Sequence, residues 1–289
     1  MNISASRINK ILKKTGGTWY LEIGVNAGDT FLGVKARLKV AVDPAFTFDY
    51  TAHDGEGVFF HPVTSDAFFE IFEKTPAAEM AADQDGVPRF DVIFIDGLHT
   101  FEQSYRDFMH SLRYAHDRTV WIIDDTVSND PYSALSDSAK GHKYRKLAGI
   151  PGESWHGDVY KTVVAIHDRH KDFFYRTIID KGNPQTVVWK AQDGMSARES
   201  VCRNLTEITM MSYFDMAEKA HALQFGSDSN LLHVLHTWDE TNVLSKEDAT
   251  IMFFYDNSYS TVKMDRVLHE NAKLREQAHV LQKEIKRLS

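Results

Sequence analysis

Two apolar runs in this sequence end abruptly in acid. Phe90-Asp91-Val92-Ile93-Phe94-Ile95 leads into Asp96-Gly97-Leu98-His99, and Val120-Trp121-Ile122-Ile123 leads into Asp124-Asp125. Strands of a parallel sheet buried on both faces read as such continuous apolar runs. Ligands of these sheets bind beyond the carboxyl ends of the strands. On that geometry Asp96, Asp124 and Asp125 share one rim, with His99 just past the first strand. Carboxylates crowded together repel one another unless something positive sits among them. The residue types therefore point to a divalent cation and to an imidazole general base.

The elements that must position these groups follow from the rest of the chain. It has 289 residues, 43% hydrophobic and 12% aromatic, enough for a sizeable core with an appendage. Ser6 to Lys14 reads as an amphipathic helix with Ile8, Ile11 and Leu12 on one side, stopped by Gly16-Gly17. Trp19 to Val25 reads as a strand, followed by a turn over residues 26–30 into a second helix. Leu38 to Val42 is the next strand, closing on Asp43-Pro44. Tyr50 to Gly57 is a loop, Thr64-Ser65-Asp66 starts a helix, and Ala77 to Pro88 is a surface linker. Phe101 to Tyr114 has helical spacing. Tyr160 to His167 and Thr186 to Trp189 read as strands that could form an antiparallel edge pair, with Phe173 to Asn183 between them. Strands alternating with helices imply an α/β fold with a Rossmann-like, mostly parallel sheet and helices on both faces. From about Asp193 the pattern is helical only, including a helix over Thr206 to Leu223 and a capping-box start at Ser245. The organisation expected is a main domain over 1–192, a helical extension over 193–260 and an amphipathic or coiled-coil helix over 261–289.

Composition also excludes some partners. Lys and Arg total 33 against 41 Asp and Glu, a formal charge of -8, so no basic face for nucleic acid is expected. The lone Cys202 cannot form an internal disulfide, which suits a reducing compartment. The opening residues carry no apolar signal core. No apolar run approaches the roughly 20 residues that a bilayer span needs. The expected setting is cytoplasmic, with no membrane partner.

Glu22-Ile23-Gly24-Val25-Asn26-Ala27-Gly28 is the second chemical motif. Glycines where a strand turns into the next element let the backbone approach a ligand closely. By itself this is equally a tight turn that needs glycine for its shape. Asp43 closes the next strand at roughly the ~20-residue offset where an acid meets a ribose diol in Rossmann-like sheets. Ser65 and Asp66 fall beyond the third strand, close to where an adenine would lie, and Ser65 reads equally as a helix cap.

With these motifs in order, the chain resembles class I S-adenosylmethionine-dependent methyltransferases over roughly residues 15–190. Leu21 to Thr30 looks like their first motif and Val42-Asp43-Pro44 like their second. The closest likeness is to the small-molecule and sugar O-methyltransferases grouped as methyltransferase family 24. That group carries a strand ending I-D-G-x-H before an aromatic and a downstream D-F, here Ile95 to Phe101 and Asp107-Phe108. The resemblance implies S-adenosylmethionine as cofactor, bound through Glu22, Gly24, Asn26, Gly28, Thr30, Asp43, Ser65, Asp66 and Asp96. It implies Mg2+ or another divalent cation on Asp96, Asp124 and Asp125, and His99 as the base that deprotonates an acceptor hydroxyl. Catechol-type relatives have lysine in place of the histidine, so the resemblance favours a sugar, glycan or aliphatic hydroxyl as acceptor. Two other functions stay open at this level: a non-catalytic methyltransferase-like interaction module, and a hydroxylase-like relative with the same fold. Asp107 reads as a helix-surface or structural acid. Trp155-His156-Gly157-Asp158 reads as a substrate lid or a surface turn, and His167 and His170 as exposed.

Val267, Leu274, Leu281 and Leu288 repeat every seven residues, with Asn271, Ala278 and Ile285 four residues after the first three. This is a heptad pattern with Asn at one core position, a device that favours dimers. The helix pairs between chains or packs on its own domain. If it pairs, light scattering shows a homo-oligomer that weakens when the chain stops before Met264; a monomer in both cases rules the intermolecular coil out.

Overall fold

The computed structural model describes residues 2–82, 85–190, 196–229, 231–235 and 245–253. Its strands are β1 (Trp19–Ile23), β2 (Leu38–Val42), β3 (Val58–His61), β4 (Phe90–Ile95), β5 (Ala115–Ile123), β6 (Phe173–Ile178), β7 (Gln185–Lys190) and β8 (Phe225–Gly226). They form one sheet in the order β3-β2-β1-β4-β5-β7-β6-β8. The first five strands run parallel, β7 runs antiparallel to both β5 and β6, and the two-residue β8 extends the edge beside β6. Chain order reverses between β1 and β4, the position where such sheets open a crevice for ligands.

Successive strand side chains face opposite layers. Leu21, Ile23, Ile93 and Ile95 enter one core with α2 (Ser65–Ile71), α3 (Pro76–Ala81), α4 (Phe101–Ser111) and α6 (Tyr160–Arg169). Tyr20, Val92 and Phe94 enter the other, with Ala5, Ile8, Ile11 and Leu12 of α1 (Ile3–Thr15). The remaining helices are α5 (Ser138–Leu147), α7 (Leu205–Met210), α8 (Tyr213–Glu218), α9 (Leu231–Val234) and α10 (Lys246–Phe253).

Several local expectations are corrected. The helix expected after Gly28 is only a 3-10 turn at Phe31–Gly33. The short span back to β2 leaves no room for a longer one, and α1 fills that face instead. Asn9 ties the two together, donating to the Gly33 carbonyl at 2.9 Å and accepting the Lys35 N–H at 2.7 Å. The strand expected at Tyr160 to His167 is helix α6, buried along nearly its whole length. A helix covered on all sides loses its polar stripe and reads as a continuous apolar run. The true partner of β7 is therefore β6. The linker after Thr75 contains α3, capped by Thr75, with Ala77, Ala78 and Ala81 buried.

Beyond residue 195 the helix expected over Thr206 to Leu223 is broken. Ser212 and Asp215 form a capping box that starts α8 anew. Ile208, Met216, Leu223 and Phe253 join the same core as α6. The heptads from Val267 onward lie outside the described residues. Among the described residues, no helix is long and apolar enough to cross a membrane.

Candidate active site

A cavity of about 690 Å³ opens at the carboxyl ends of β1, β2, β4 and β5. Gly24 closes β1 with φ of 84°, and its N–H donates to the Val42 carbonyl at 2.8 Å. A Cβ at this position would lie 2.0 Å from the Asp96 carbonyl oxygen. The ends of β1 and β4 can meet this closely only through glycine. Gly28 has φ of 81° and stands outside the cavity lining; a Cβ there would meet the Phe48 ring at 2.9 Å.

Asp43 braces the turn between these glycines. Its Oδ2 accepts the Val25 and Asn26 N–H groups at 2.9 and 2.8 Å, and its Oδ1 accepts the Ala45 N–H at 2.7 Å. One Oδ1 lone pair remains for a ligand hydroxyl. Glu22, Asn26, Thr30, Ser65 and Asp96 line the cavity with it. Ser65 is the first residue of α2, whose cap is Thr64, and its hydroxyl accepts from Gln103 Nε2 at 3.0 Å. Asp66 is not brought into the cavity lining; its carboxylate is held by Arg106 Nε at 2.8 Å on the outer side of α2.

The rim acids diverge. Glu22, Asp96 and Asp124 follow strand alternation and line the cavity. Asp125 leaves β5 in the left-handed region, with φ of 57°. That conformation is uncommon outside glycine, and Asp tolerates it better than most. It turns the Asp125 carboxylate toward His99 Nδ1, at 2.9 Å. His99 Nε2 lies 3.3 Å from Asp96 Oδ1. Ligand atoms of Asp96, His99 and Asp125 all lie within 4.8 Å of one another. Asp124 points elsewhere: Oδ1 accepts the Asp125 N–H at 2.8 Å and Asn183 Nδ2 at 3.0 Å, and Oδ2 accepts Gln185 Nε2 at 3.1 Å. Asn183 Nδ2 also donates to Asp125.

Charge on these groups follows the packing. Burial works against the charge of His99, but its hydrogen bonds to Asp125 and Asp96 outweigh it and lift its pKa to about 11. Burial, with the neighbouring Asp125 charge adding to it, lifts Asp96 to about 6 despite His99. Burial opposes charge on Asp125 too, yet the His99 bond holds its carboxyl below the ordinary range. Asp124 and Glu22 are pushed well up, chiefly by burial.

Segment 155–158, expected as a lid or a surface turn, is the wall behind His99. Its Trp155 carbonyl lies 3.0 Å from His99 Nδ1, and the Trp155 ring stacks on the imidazole with centroids 5.1 Å apart. A Cβ on Gly157 would fall 1.5 Å from the His99 carbonyl oxygen. Asp158 accepts the Phe101 N–H at 2.7 Å, capping α4 just after His99. His156 is buried behind Asp125, its Nε2 3.8 Å from the carboxylate. Asp107 is fully buried and accepts from Gln103 at 2.9 Å, so it is structural. His167 is not exposed: it is buried between the Tyr175 hydroxyl and the Glu199 carbonyl. His170 is partly buried, its Nε2 2.9 Å from the Tyr105 hydroxyl. Sequence reading missed Asn183 and Gln185 as hydrogen-bond partners of the rim acids.

Two carboxylates converging beside an imidazole are a donor set that fits a divalent cation, since Mg2+ is commonly held by one or two carboxylates with waters completing the shell. Asp124, expected with them as a metal ligand, is not part of this converging group.

Residues 21–126 match a family model described as a methyltransferase domain. No curated protein matches the chain. Among solved structures it is similar to an O-methyltransferase from Bacillus cereus in complex with SAH, at 16% identity over 66% of this chain and 82% of that one, TM-score 0.42. A putative caffeoyl-CoA O-methyltransferase from Staphylococcus aureus is 12% identical over 66% and 84%, TM-score 0.42. The MycE methyltransferase of the mycinamycin pathway, solved with Mg, SAH and mycinamycin VI, is 11% identical over 65% and 50%, TM-score 0.40. The matched family model identifies residues 21–126 as a methyltransferase domain, carried on a Rossmann-like, mostly parallel sheet.

Two outcomes are expected. Gly24→Ala lowers the melting temperature and the calorimetric affinity for S-adenosylhomocysteine together, because its Cβ displaces Asp96; an unchanged affinity rules the cradle out. His99 has a folded pKa raised above its unfolded value of about 6.5. Its stabilising contribution is full below that value and is lost as pH rises through about 11. In chelated buffer, the melting-temperature advantage of the wild type over His99→Gln therefore shrinks from pH 7 to pH 11. A constant difference means His99 is not held charged.

Proposed function

We propose that this enzyme transfers the methyl group of S-adenosylmethionine to a hydroxyl oxygen of a sugar, glycan or small metabolite, with Mg2+ or another divalent cation at the rim acids. The observation that carries the reading is the His99 imidazole, fixed at the cavity edge between Asp96 and Asp125. The resemblance to sugar O-methyltransferases, which place histidine where catechol enzymes place lysine, supports the acceptor class.

Each residue has a defined task. Gly24 and the Asp43-braced turn admit the cofactor close to the backbone, and Ser65 lines its far end. Asp96 and Asp125 would hold the cation. Such an ion, when bound, supplies positive charge that acidifies a neighbouring hydroxyl. The Nδ1–H of His99 has Asp125 and the Trp155 carbonyl as acceptors, so Nε2 is the atom that takes the acceptor proton. Added positive charge at Asp96 and Asp125 favours the neutral imidazole that a base requires. Trp155 stacking and the tight Gly157 contact keep the ring from turning away.

General-base loss typically reduces rate about 10²–10⁴-fold. His99→Ala should bind S-adenosylhomocysteine as the wild type does in calorimetry, and lose turnover by that factor. The acceptor is found first, by mass shift across a panel of sugars, glycosylated metabolites and catechols. Normal turnover by His99→Ala on an acceptor that the wild type methylates would remove His99 from the chemistry.

A further inference from the structure

Asp107 is a carboxylate that the methyl transfer does not use, held at 0% exposure on the inner face of α4. Its partners form a short chain that ends at the cavity. Gln103, one turn earlier on α4, donates through Nε2 to Asp107 Oδ1 at 2.9 Å, to Ser65 Oγ at 3.0 Å and more distantly to Asp66 Oδ1 at 3.4 Å. Gln103 Oε1 accepts from Arg106 Nη2. The Gln103 amide therefore has one permitted orientation. Turned over, its oxygen would face two carboxylates and its NH2 would face the guanidinium.

This orientation sets the polarity of the cavity wall. Ser65 Oγ spends one lone pair on the Gln103 amide. Burial lifts the Asp107 carboxyl to about 6 against hydrogen bonds from Ser65 and Gln103, so it is charged in mildly alkaline buffer and takes the Ser65 proton. What Ser65 has left for a ligand is an acceptor lone pair. Asp107 Oδ2 has no hydrogen-bond partner among the described residues. It stands behind Gly97, where a Cβ would lie 3.6 Å from it. Ser65 and Gly97 both line the cavity. This stretch of wall carries negative potential and favours a ligand edge that donates.

We infer that Asp107 is a positioning residue that makes this wall select a purine with a 6-amino group over one with a 6-oxo group. Asp107 touches no ligand. It acts through Ser65, whose proton it keeps out of the cavity, and through the uncompensated charge behind Gly97. The inference rests on the cofactor reading above. An amino group donates where Ser65 accepts, whereas a 6-oxo purine sets its oxygen against a lone pair and against that charge. Leaving polar groups unpaired in a closed site typically lowers affinity about 10–100-fold.

The test measures calorimetric binding of S-adenosylhomocysteine and of its 6-oxo counterpart, S-inosylhomocysteine, to the full chain, and reads the ratio of the two affinities. The wild type should favour the amino compound by about 10–100-fold. Asp107→Asn keeps an acceptor for Gln103, which obliges the new amide to put its NH2 where Oδ2 stood. The charge is lost and a donor faces Gly97, so the ratio should fall toward one. A purely structural role predicts that both affinities change together and the ratio stays. If Asp107→Asn does not fold, Ser65→Ala leaves the Thr64 cap of α2 intact, removes the acceptor itself and should lower the same ratio. An unchanged ratio in a folded variant overturns the proposal, and so does a wild type that binds both compounds equally. A wild type that binds neither compound overturns the cofactor reading, and the inference with it.

Discussion

Like charge at close quarters is the constraint on which this structure depends. Glu22, Asp96, Asp124 and Asp125 end three neighbouring strands, and each is largely withdrawn from water. Isolated buried carboxylates are strongly disfavoured in the charged form. Each here has a donor assigned to it. The Tyr20 hydroxyl serves Glu22, His99 serves Asp96 and Asp125, and two side-chain amides serve Asp124. The rim is therefore a balanced polar network, and its acids are available to a ligand only as far as their remaining lone pairs allow.

Sheet direction explains where the balancing donors come from. An antiparallel strand begins where its parallel neighbours end. Because Thr186 of β7 pairs with Ile123 of β5, the start of β7 and the turn before it stand beside Asp124 and Asp125. That is how Asn183 and Gln185, far along the chain, reach the rim. The opposite face is closed by α1, whose first residues Asn2, Ile3 and Ser4 also line the cavity. The polypeptide closes its site with elements from its start and from well past its middle, around acids supplied by its centre.

Much of this was legible in the sequence because the informative residues are contiguous. Strand-end acids, the glycine turn and Asp43 are read directly from apolar runs that stop in polar residues, and the structure puts them at one crevice. What escaped reading depends on packing across the chain. Helix α6 resembled a strand because it has no exposed face to break its apolar run. Asp124 and Asp125 looked equivalent, and only a single left-handed residue sends them in different directions. Asp66 looked like a pocket residue beside Ser65, but Arg106 on α4 claims it. Arg7, Asn183 and Gln185 have no local signature, since their roles exist only once distant segments meet.

The buried Arg7–Asp228 pair spans 221 residues of sequence. During synthesis at about 5–20 residues per second, α1 waits roughly 10–45 s before Asp228 emerges. Throughout that interval the guanidinium has no carboxylate to enter the interior with. Leaving one partner of such a pair buried alone is worth about 3–5 kcal/mol against the folded state. The first five strands can associate earlier, but α1 cannot seat against them at full stability. Full seating of α1 is in this way coupled to a residue made 221 positions later.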